Sequence, residues 1–163
     1  MVEFDASPWG FGAVLKQNGV PQIFFAGAWT ENDAEVVGAP LGAPDGQTAW
    51  EYITLFLVLL AFGTDFRKTG LVILGDNLAS LNLALTLKGS RVLGKTSREI
   101  AWRQVRQGWR YMCGHLPSEL NHTADALSRL SAPTDNAKDL PTELGKARRV
   151  EPPILMDIWT AGL

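Results

Sequence analysis

The stretch VEFDASPWGFGAVLKQNGVPQIFFA, residues 2–26, decides the fold. Residues 2–6 read as a strand that passes through Pro8-Trp9-Gly10 into a second strand over 11–15. Asn18-Gly19 is a dipeptide that two-residue hairpin turns prefer, because both residues tolerate positive φ; it leads into a third strand over 21–26. Three consecutive strands joined by tight turns make an antiparallel meander. Working outward, residues 30–47 turn polar and rich in Gly and Pro and read as a loop. A helix then begins near Thr48, apolar on nearly every side, which places it centrally. Residues 71–74 are a short continuous apolar run, of the kind buried on both sheet faces, closed by Gly75-Asp76-Asn77. Helices over about 78–87 and 96–109, a strand at 111–113 and a helix over 122–130 complete the series. In the 96–109 helix, Ile100, Trp102, Val105 and Trp109 read as core-side positions. This order predicts an α/β layered domain, a mixed five-stranded sheet with helices packed on it.

After Leu130 the composition shifts. Ser131-Ala132-Pro133-Thr134-Asp135-Asn136 opens a stretch with little periodicity that also carries Pro141, Pro152 and Pro153. The expected division is one domain over 1–131 and an extension or linker over 132–163. A chain of 163 residues supplies one ordinary domain with a real core. With 15 Lys and Arg against 17 Asp and Glu, the overall balance selects no class of charged partner, so the distribution of charge has to be read instead. The longest apolar run, residues 53–62, is about half a bilayer span, so no membrane partner is expected. Cys113 is the single cysteine and makes no internal disulfide, and no basic start with a following apolar stretch marks a secretory leader. These features imply an intracellular protein, cytoplasmic or nuclear. The opening directly on strand residues reads as a piece of something longer.

Most of the acids need no explanation beyond a solvated surface. Four fall at element boundaries or against an apolar element: Asp5 in the first strand, Glu51 in the first turn of the apolar helix, Asp76 ending the buried strand and Asp125 at the start of the last helix. Taken singly, each is an acid placed where it complements a helix dipole or simply meets solvent. Taken together they are less bland: in mixed α/β sheets the ends of adjacent strands meet at one edge, and helix starts can supply further groups there, so the four acids are expected to converge. Converging carboxylates repel unless cations are present, and hard oxygen ligands in that number suit Mg²⁺ or Mn²⁺. Two such ions roughly 4 Å apart are the arrangement for in-line displacement at phosphorus, which points to phosphodiester hydrolysis.

The residues that carry this reading also carry a resemblance. Asp5-Ala6-Ser7 leading through glycines into Gly12-Ala13-Val14-Leu15, and Ala124-Asp125-Ala126-Leu127-Ser128-Arg129 near the end, resemble the ribonuclease H domain of retrotransposon-type reverse transcriptases. Trp50-Glu51-Tyr52 and Leu74-Gly75-Asp76-Asn77 fall where that family has its Glu and second Asp. The resemblance covers roughly residues 2–131. It implies a ribonuclease H-like fold and Asp5, Glu51, Asp76 and Asp125 as the ligands of two Mg²⁺ ions, for which Mn²⁺ can substitute. It also implies hydrolysis of the RNA strand of an RNA/DNA hybrid, and an upstream reverse transcriptase polymerase domain in the full polyprotein. His115, ten residues before Asp125, matches the family's loop histidine and would shuttle protons as product departs, histidine being the side chain that titrates near neutrality. Asn121 reads as a helix cap that in the family lies near the substrate.

From Lys88 to Arg110, seven basic residues (Lys88, Arg91, Lys95, Arg98, Arg103, Arg106, Arg110) stand against one acid, Glu99. The alternatives are a solvated helix face and a phosphate-tracking surface whose binding weakens steeply with salt. A hybrid is told from DNA by 2′-hydroxyl contacts, for which Ser7, Asn77 and Asn121 are the candidates, each equally able to cap or turn the backbone. Trp102 and Trp109 read as core rather than as base-stacking platforms. Cys113, His115 and His122 offer three zinc ligands without a fourth, a weak match. The competing functional reading is a catalytically silent ribonuclease H-like module that binds nucleic acid or tethers a polymerase.

Overall fold

The structure, a computed structural model, describes residues 1–155. Among the described residues, six strands and five α-helices follow in the order β1 (Val2–Ala6), β2 (Gly10–Gln17), β3 (Val20–Ala28), α1 (Glu31–Val37), α2 (Gln47–Phe62), β4 (Leu71–Gly75), α3 (Leu78–Thr86), α4 (Arg91–Gln107), β5 (Tyr111–His115), α5 (His122–Ser128) and β6 (Arg148–Arg149). The meander forms as its sequence requires: β1, β2 and β3 pair antiparallel, and Asn18 and Gly19 take φ of 50° and 78° at the hairpin. β4 joins the other side of β1 in parallel and β5 joins β4 in parallel, giving the sheet order β5-β4-β1-β2-β3-β6.

Alternation along the strands divides the core between the two faces. Phe11, Ala13, Leu15 and Phe25 pack with Val2, Phe4 and Ala6 against α2, whereas Val14, Phe24 and Ala26 pack with Leu127 of α5 and with Leu144. α2 is buried on nearly every side because the sheet takes one face and α3 and α4 take others; Tyr52 Oη and Ser97 Oγ meet at 2.9 Å between α2 and α4. On the opposite sheet face α5 lies so close to β2 that a Cβ on Gly12 would stand 2.2 Å from Leu127 Cβ. That side-chain-free position lets α5 seat directly on the strands.

The structure corrects several expectations. The 30–47 segment contains α1, started by a reciprocal capping box in which Thr30 and Asp33 satisfy each other's backbone N–H groups and ended by Gly38 at φ 75°. α4 starts at Arg91 rather than 96: Gly94 is a poor helix former, yet Val92, Thr96, Ser97 and Ile100 are buried against the core and packing outweighs propensity. The buried face of α4 therefore includes small polar residues, while Trp102 and Val105, expected in the core, are 51% and 85% exposed. Trp109 is in the core as expected. The sheet has six strands rather than five, because Arg148–Arg149 pairs in parallel with β3 after Leu144 has entered the core beside Val14 and Phe24. Residues 156–163 of the 132–163 extension lie outside the described residues. Among the described residues no helix is long and apolar enough to cross a membrane.

Candidate metal centre

β1 and β4 are parallel neighbours, so their carboxyl ends lie side by side at the same edge of the sheet. Asp5 is the penultimate residue of β1 and Asp76 follows directly on β4. Glu51 reaches the same edge from the first two turns of α2, which are pinned to the end of β1: Gln47 Nε2 donates to the Ala6 carbonyl (2.6 Å) and to Glu51 Oε1 (3.0 Å), and Ala6 N–H donates to Glu51 Oε1 (3.3 Å). Asp5, Glu51 and Asp76 each offer one carboxylate oxygen, and all three oxygens lie within 4.8 Å of one another. Three of the four acids singled out in the sequence are thus brought together.

Burial and convergence together change the acidity of Asp5 and Glu51. Burial, with the Asp76 and Asp125 charges adding, pushes the Asp5 carboxyl up to about 7, although the Ser128 hydrogen bond and the Arg129 charge pull the other way. Burial and the repulsion of Asp5 and Asp76 raise Glu51 well above the usual carboxylate range. Glu51 Oε2 is buried and finds no hydrogen-bond partner among the described residues. A buried oxygen with no donor, on a carboxylate that lies within 4.8 Å of two others, fits a hard divalent cation. The other acid of β1, Glu3, is already neutralised by Lys16 at 2.7 Å.

Asp125, on α5, is placed differently. Arg129 Nε donates to its Oδ1 at 2.7 Å, one helical turn away, and Lys138 Nζ pairs with its Oδ2. Burial pushes its carboxyl up, but the hydrogen bonds and charges of Arg129 and Lys138 outweigh that and hold it below the usual range. It does not join the three-carboxylate cluster, yet its charge is felt at Asp5. The Arg129 guanidinium also lies 5.9 Å from the centre of the Trp9 ring.

The remaining candidates divide. His115 is exposed at the end of β5, in register with Gly75 and so beside the Asp76 turn. Asn77 caps α3, its side chain accepting from Ser80 N–H at 3.0 Å. Asn121 stands at the N-cap position of α5 but does not cap it: its amide donates instead to the Phe4 carbonyl at 2.9 Å, fully buried. Ser7 is buried in the β1–β2 turn, where its hydroxyl accepts from the Trp9 and Gly10 N–H groups and donates to the Ser128 carbonyl at 2.7 Å. Cys113, His115 and His122 form no metal-ligand group among the described residues, and burial pushes the Cys113 thiol up to about 11, away from the thiolate a zinc ion needs. Besides Gln47 and Lys138, two serines at the site escape the sequence reading. Ser118 donates to Asp76 Oδ2 at 2.7 Å and Ser128 donates to Asp5 Oδ2 at 2.6 Å. Ser128 had a local signal, standing three residues after Asp125; Ser118 had none.

On α4, Arg91, Lys95, Arg98, Trp102 and Arg106 recur at three- and four-residue intervals and are all exposed, forming one stripe along the helix. Arg106 lies 5.7 Å from the Trp102 ring centre, and Arg103 is tied to Glu99 at 2.7 Å.

No family model matches the chain, and no curated protein matches it. Solved structures do. The crystal structure of LC11-RNase H1 in complex with RNA/DNA hybrid superposes with a TM-score of 0.52 at 16% identity, covering 77% of this chain and 91% of that one. RNase H1 from the halophilic archaeon Halobacterium salinarum NRC-1 superposes with a TM-score of 0.50 at 17% identity, covering 80% of this chain and 94% of that one. At such identities the likeness concerns architecture: the chain has the ribonuclease H fold.

Proposed function

We propose that this chain is a metal-dependent endonuclease that hydrolyses the RNA strand of RNA/DNA hybrids, serving as the ribonuclease H part of a retroelement reverse transcriptase polyprotein. The observation that carries the reading is the convergence of Asp5, Glu51 and Asp76 within 4.8 Å at the ends of parallel strands, in a fold shared with a ribonuclease H1 solved on an RNA/DNA hybrid. The retroelement context, with a polymerase domain upstream, rests on the Asp5-Ala6-Ser7 and Ala124–Arg129 motifs, and the cytoplasmic or nuclear setting on the single cysteine, Cys113.

In this reading Asp5, Glu51 and Asp76 hold Mg²⁺ or Mn²⁺, and Asp125 contributes to a second ion once Lys138 moves aside. When bound there, such ions would supply Lewis acidity for activating water and for stabilising charge on the leaving oxygen. The chain's own residues do the rest. The α4 stripe of Arg91, Lys95, Arg98 and Arg106 tracks backbone phosphates, with Trp102 available for stacking. His115, exposed beside the Asp76 turn, carries protons between the reacting phosphate and solvent. Asn77 is the half-exposed candidate for a 2′-hydroxyl contact, whereas the buried side chains of Ser7 and Asn121 shape the site from behind. Residues 1–131 form the catalytic unit, and Lys138 is where the 132–163 extension reaches Asp125.

A second reading is favoured by one observation: both Asp125 oxygens are paired with cations of the chain itself. A silent module that binds hybrid without cutting it would look like this. Incubation with a labelled RNA/DNA hybrid, double-stranded DNA and double-stranded RNA, in Mg²⁺, Mn²⁺ or EDTA, separates the two. The nuclease reading requires metal-dependent RNA cleavage in the hybrid alone, abolished by Asp76→Asn. Hybrid binding by folded protein without cleavage in either metal establishes the silent module.

A further inference from the structure

We infer that Ser128 is a positioning residue of the metal centre, its hydroxyl orienting the Asp5 carboxylate while its carbonyl locks α5 to the β1–β2 turn through Ser7. The inference rests on the metal-centre reading above and adds a residue to it. Ser128 Oγ lies 2.6 Å from Asp5 Oδ2 and 2.9 Å from the Asp125 carbonyl. A hydroxyl has one proton, and an ionised carboxylate is the stronger acceptor, so the proton goes to Asp5 when Asp5 is charged. That occupies one oxygen of Asp5 and fixes the plane of the carboxylate, leaving the other oxygen for a cation.

The other half of the latch is Ser7. Its hydroxyl donates to the Ser128 carbonyl at 2.7 Å and accepts from Trp9 and Gly10 N–H, while Ser7 N–H donates to the Gly10 carbonyl at 2.9 Å. Both serines are 1% exposed, so no water competes for these bonds. The Ser128 carbonyl stands at the end of α5, where helical carbonyls lack intrahelical donors, and Ser7 supplies one. Asp5-Ala6-Ser7 and Asp125-Ala126-Leu127-Ser128 thus interlock: each segment carries an acid and a serine, and each serine bonds the other segment. α5 and β1 are held as one unit, and Asp125 and Asp5 with them.

Orienting partners of ligating carboxylates cost about 10- to 100-fold in metal affinity when removed. Mn²⁺ titration of the full chain by isothermal calorimetry, alongside thermal unfolding, tests the role without relying on catalysis. Ser128→Ala is expected to bind Mn²⁺ about 10- to 100-fold more weakly than the unaltered protein, with Ser128→Cys intermediate. Thr96→Ala is the control: Thr96 is a fully buried hydroxyl on α4 that donates to the Val92 carbonyl, so its removal costs stability with Mn²⁺ affinity unchanged. Mn²⁺ binding by folded Ser128→Ala within about two-fold of the unaltered protein overturns the inference; if that variant does not fold, Ser128→Cys decides by the same criterion. Failure of the underlying reading is distinguishable, because then the unaltered protein binds no Mn²⁺ or Asp76→Asn binds it equally well, and the role of Ser128 falls with it.

Discussion

Asp5→Asn should stabilise the metal-free protein, by an amount that depends on pH in a defined way. The Asp5 carboxyl moves from an ordinary 3.8 to about 7 on folding, so between those values the folded chain holds a proton that the unfolded chain has released. Stability of the metal-free protein therefore falls as pH rises from about 4 to about 7 and levels off above. At about 1.36 kcal/mol for each of roughly three pH units, the cost of the buried charge at pH 8 is on the order of 4 kcal/mol; at pH 5 it is less than half of that, and at pH 3.5 close to nil. Asn is nearly isosteric and its carbonyl still accepts from Ser128, so the substitution removes the Asp5 charge and, with it, the repulsion Asp5 exerts on Glu51. Urea unfolding in EDTA at pH 3.5, 5 and 8 reads the difference directly, with Asp5→Asn gaining several kcal/mol at pH 8 and almost nothing at pH 3.5. Saturating Mn²⁺ should then close the gap at pH 8, because only the unaltered protein is stabilised by the ion. A pH-independent difference, or an Asp5→Asn protein less stable than the original at pH 8, refutes the claim that the site is a cluster of uncompensated carboxylates.

Other substitutions probe separate parts of the account. Gly12→Ala sets a Cβ 2.2 Å from Leu127 Cβ, so α5 must shift; thermal unfolding should show a loss of about 1–3 kcal/mol and hybrid cleavage should fall with it. Lys138→Met should change stability by less than about 1 kcal/mol, Lys138 being half exposed, yet tighten Mn²⁺ binding in calorimetry by freeing Asp125; unaltered affinity means that Lys138 does not compete. His115→Ala should slow turnover while leaving hybrid binding in a gel-shift assay intact, and an unchanged rate rejects the proton-carrying role.

The sequence made the local features readable and hid those that depend on distant partners. Asn18-Gly19 announced its hairpin because positive φ is a property of those two residues alone. Asp5 and Asp76 were legible as acids closing apolar strands, and the parallel pairing of β1 and β4 brought them together as sheet topology requires. The capping box of Thr30 and Asp33 was equally local but lay among glycines and prolines that read as loop. α4 is illegible for a different reason. Its core-facing side is made of Val92, Thr96, Ser97 and Ile100, so a tryptophan on the outer face looked like the apolar anchor. β6 spans only two residues and carries no periodicity at all. The partners of the site were the least visible. Asp5 and Ser128 are 123 residues apart, and the pairing of Lys138 with Asp125 depends on how the chain turns back after α5, where Lys138 N–H bonds the Arg129 carbonyl.

The central claim is that Asp5, Glu51 and Asp76 form a cation site, and an anomalous difference map from a crystal soaked in Mn²⁺ tests it most directly. The account requires a peak within about 2.0–2.3 Å of one oxygen from each of the three carboxylates, with Glu51 Oε2 the oxygen gaining a partner it now lacks. A second peak beside Asp125, with Lys138 displaced, would extend the account to two ions. Well-ordered carboxylates with no anomalous density between them, at Mn²⁺ concentrations that support hybrid cleavage in solution, would contradict it.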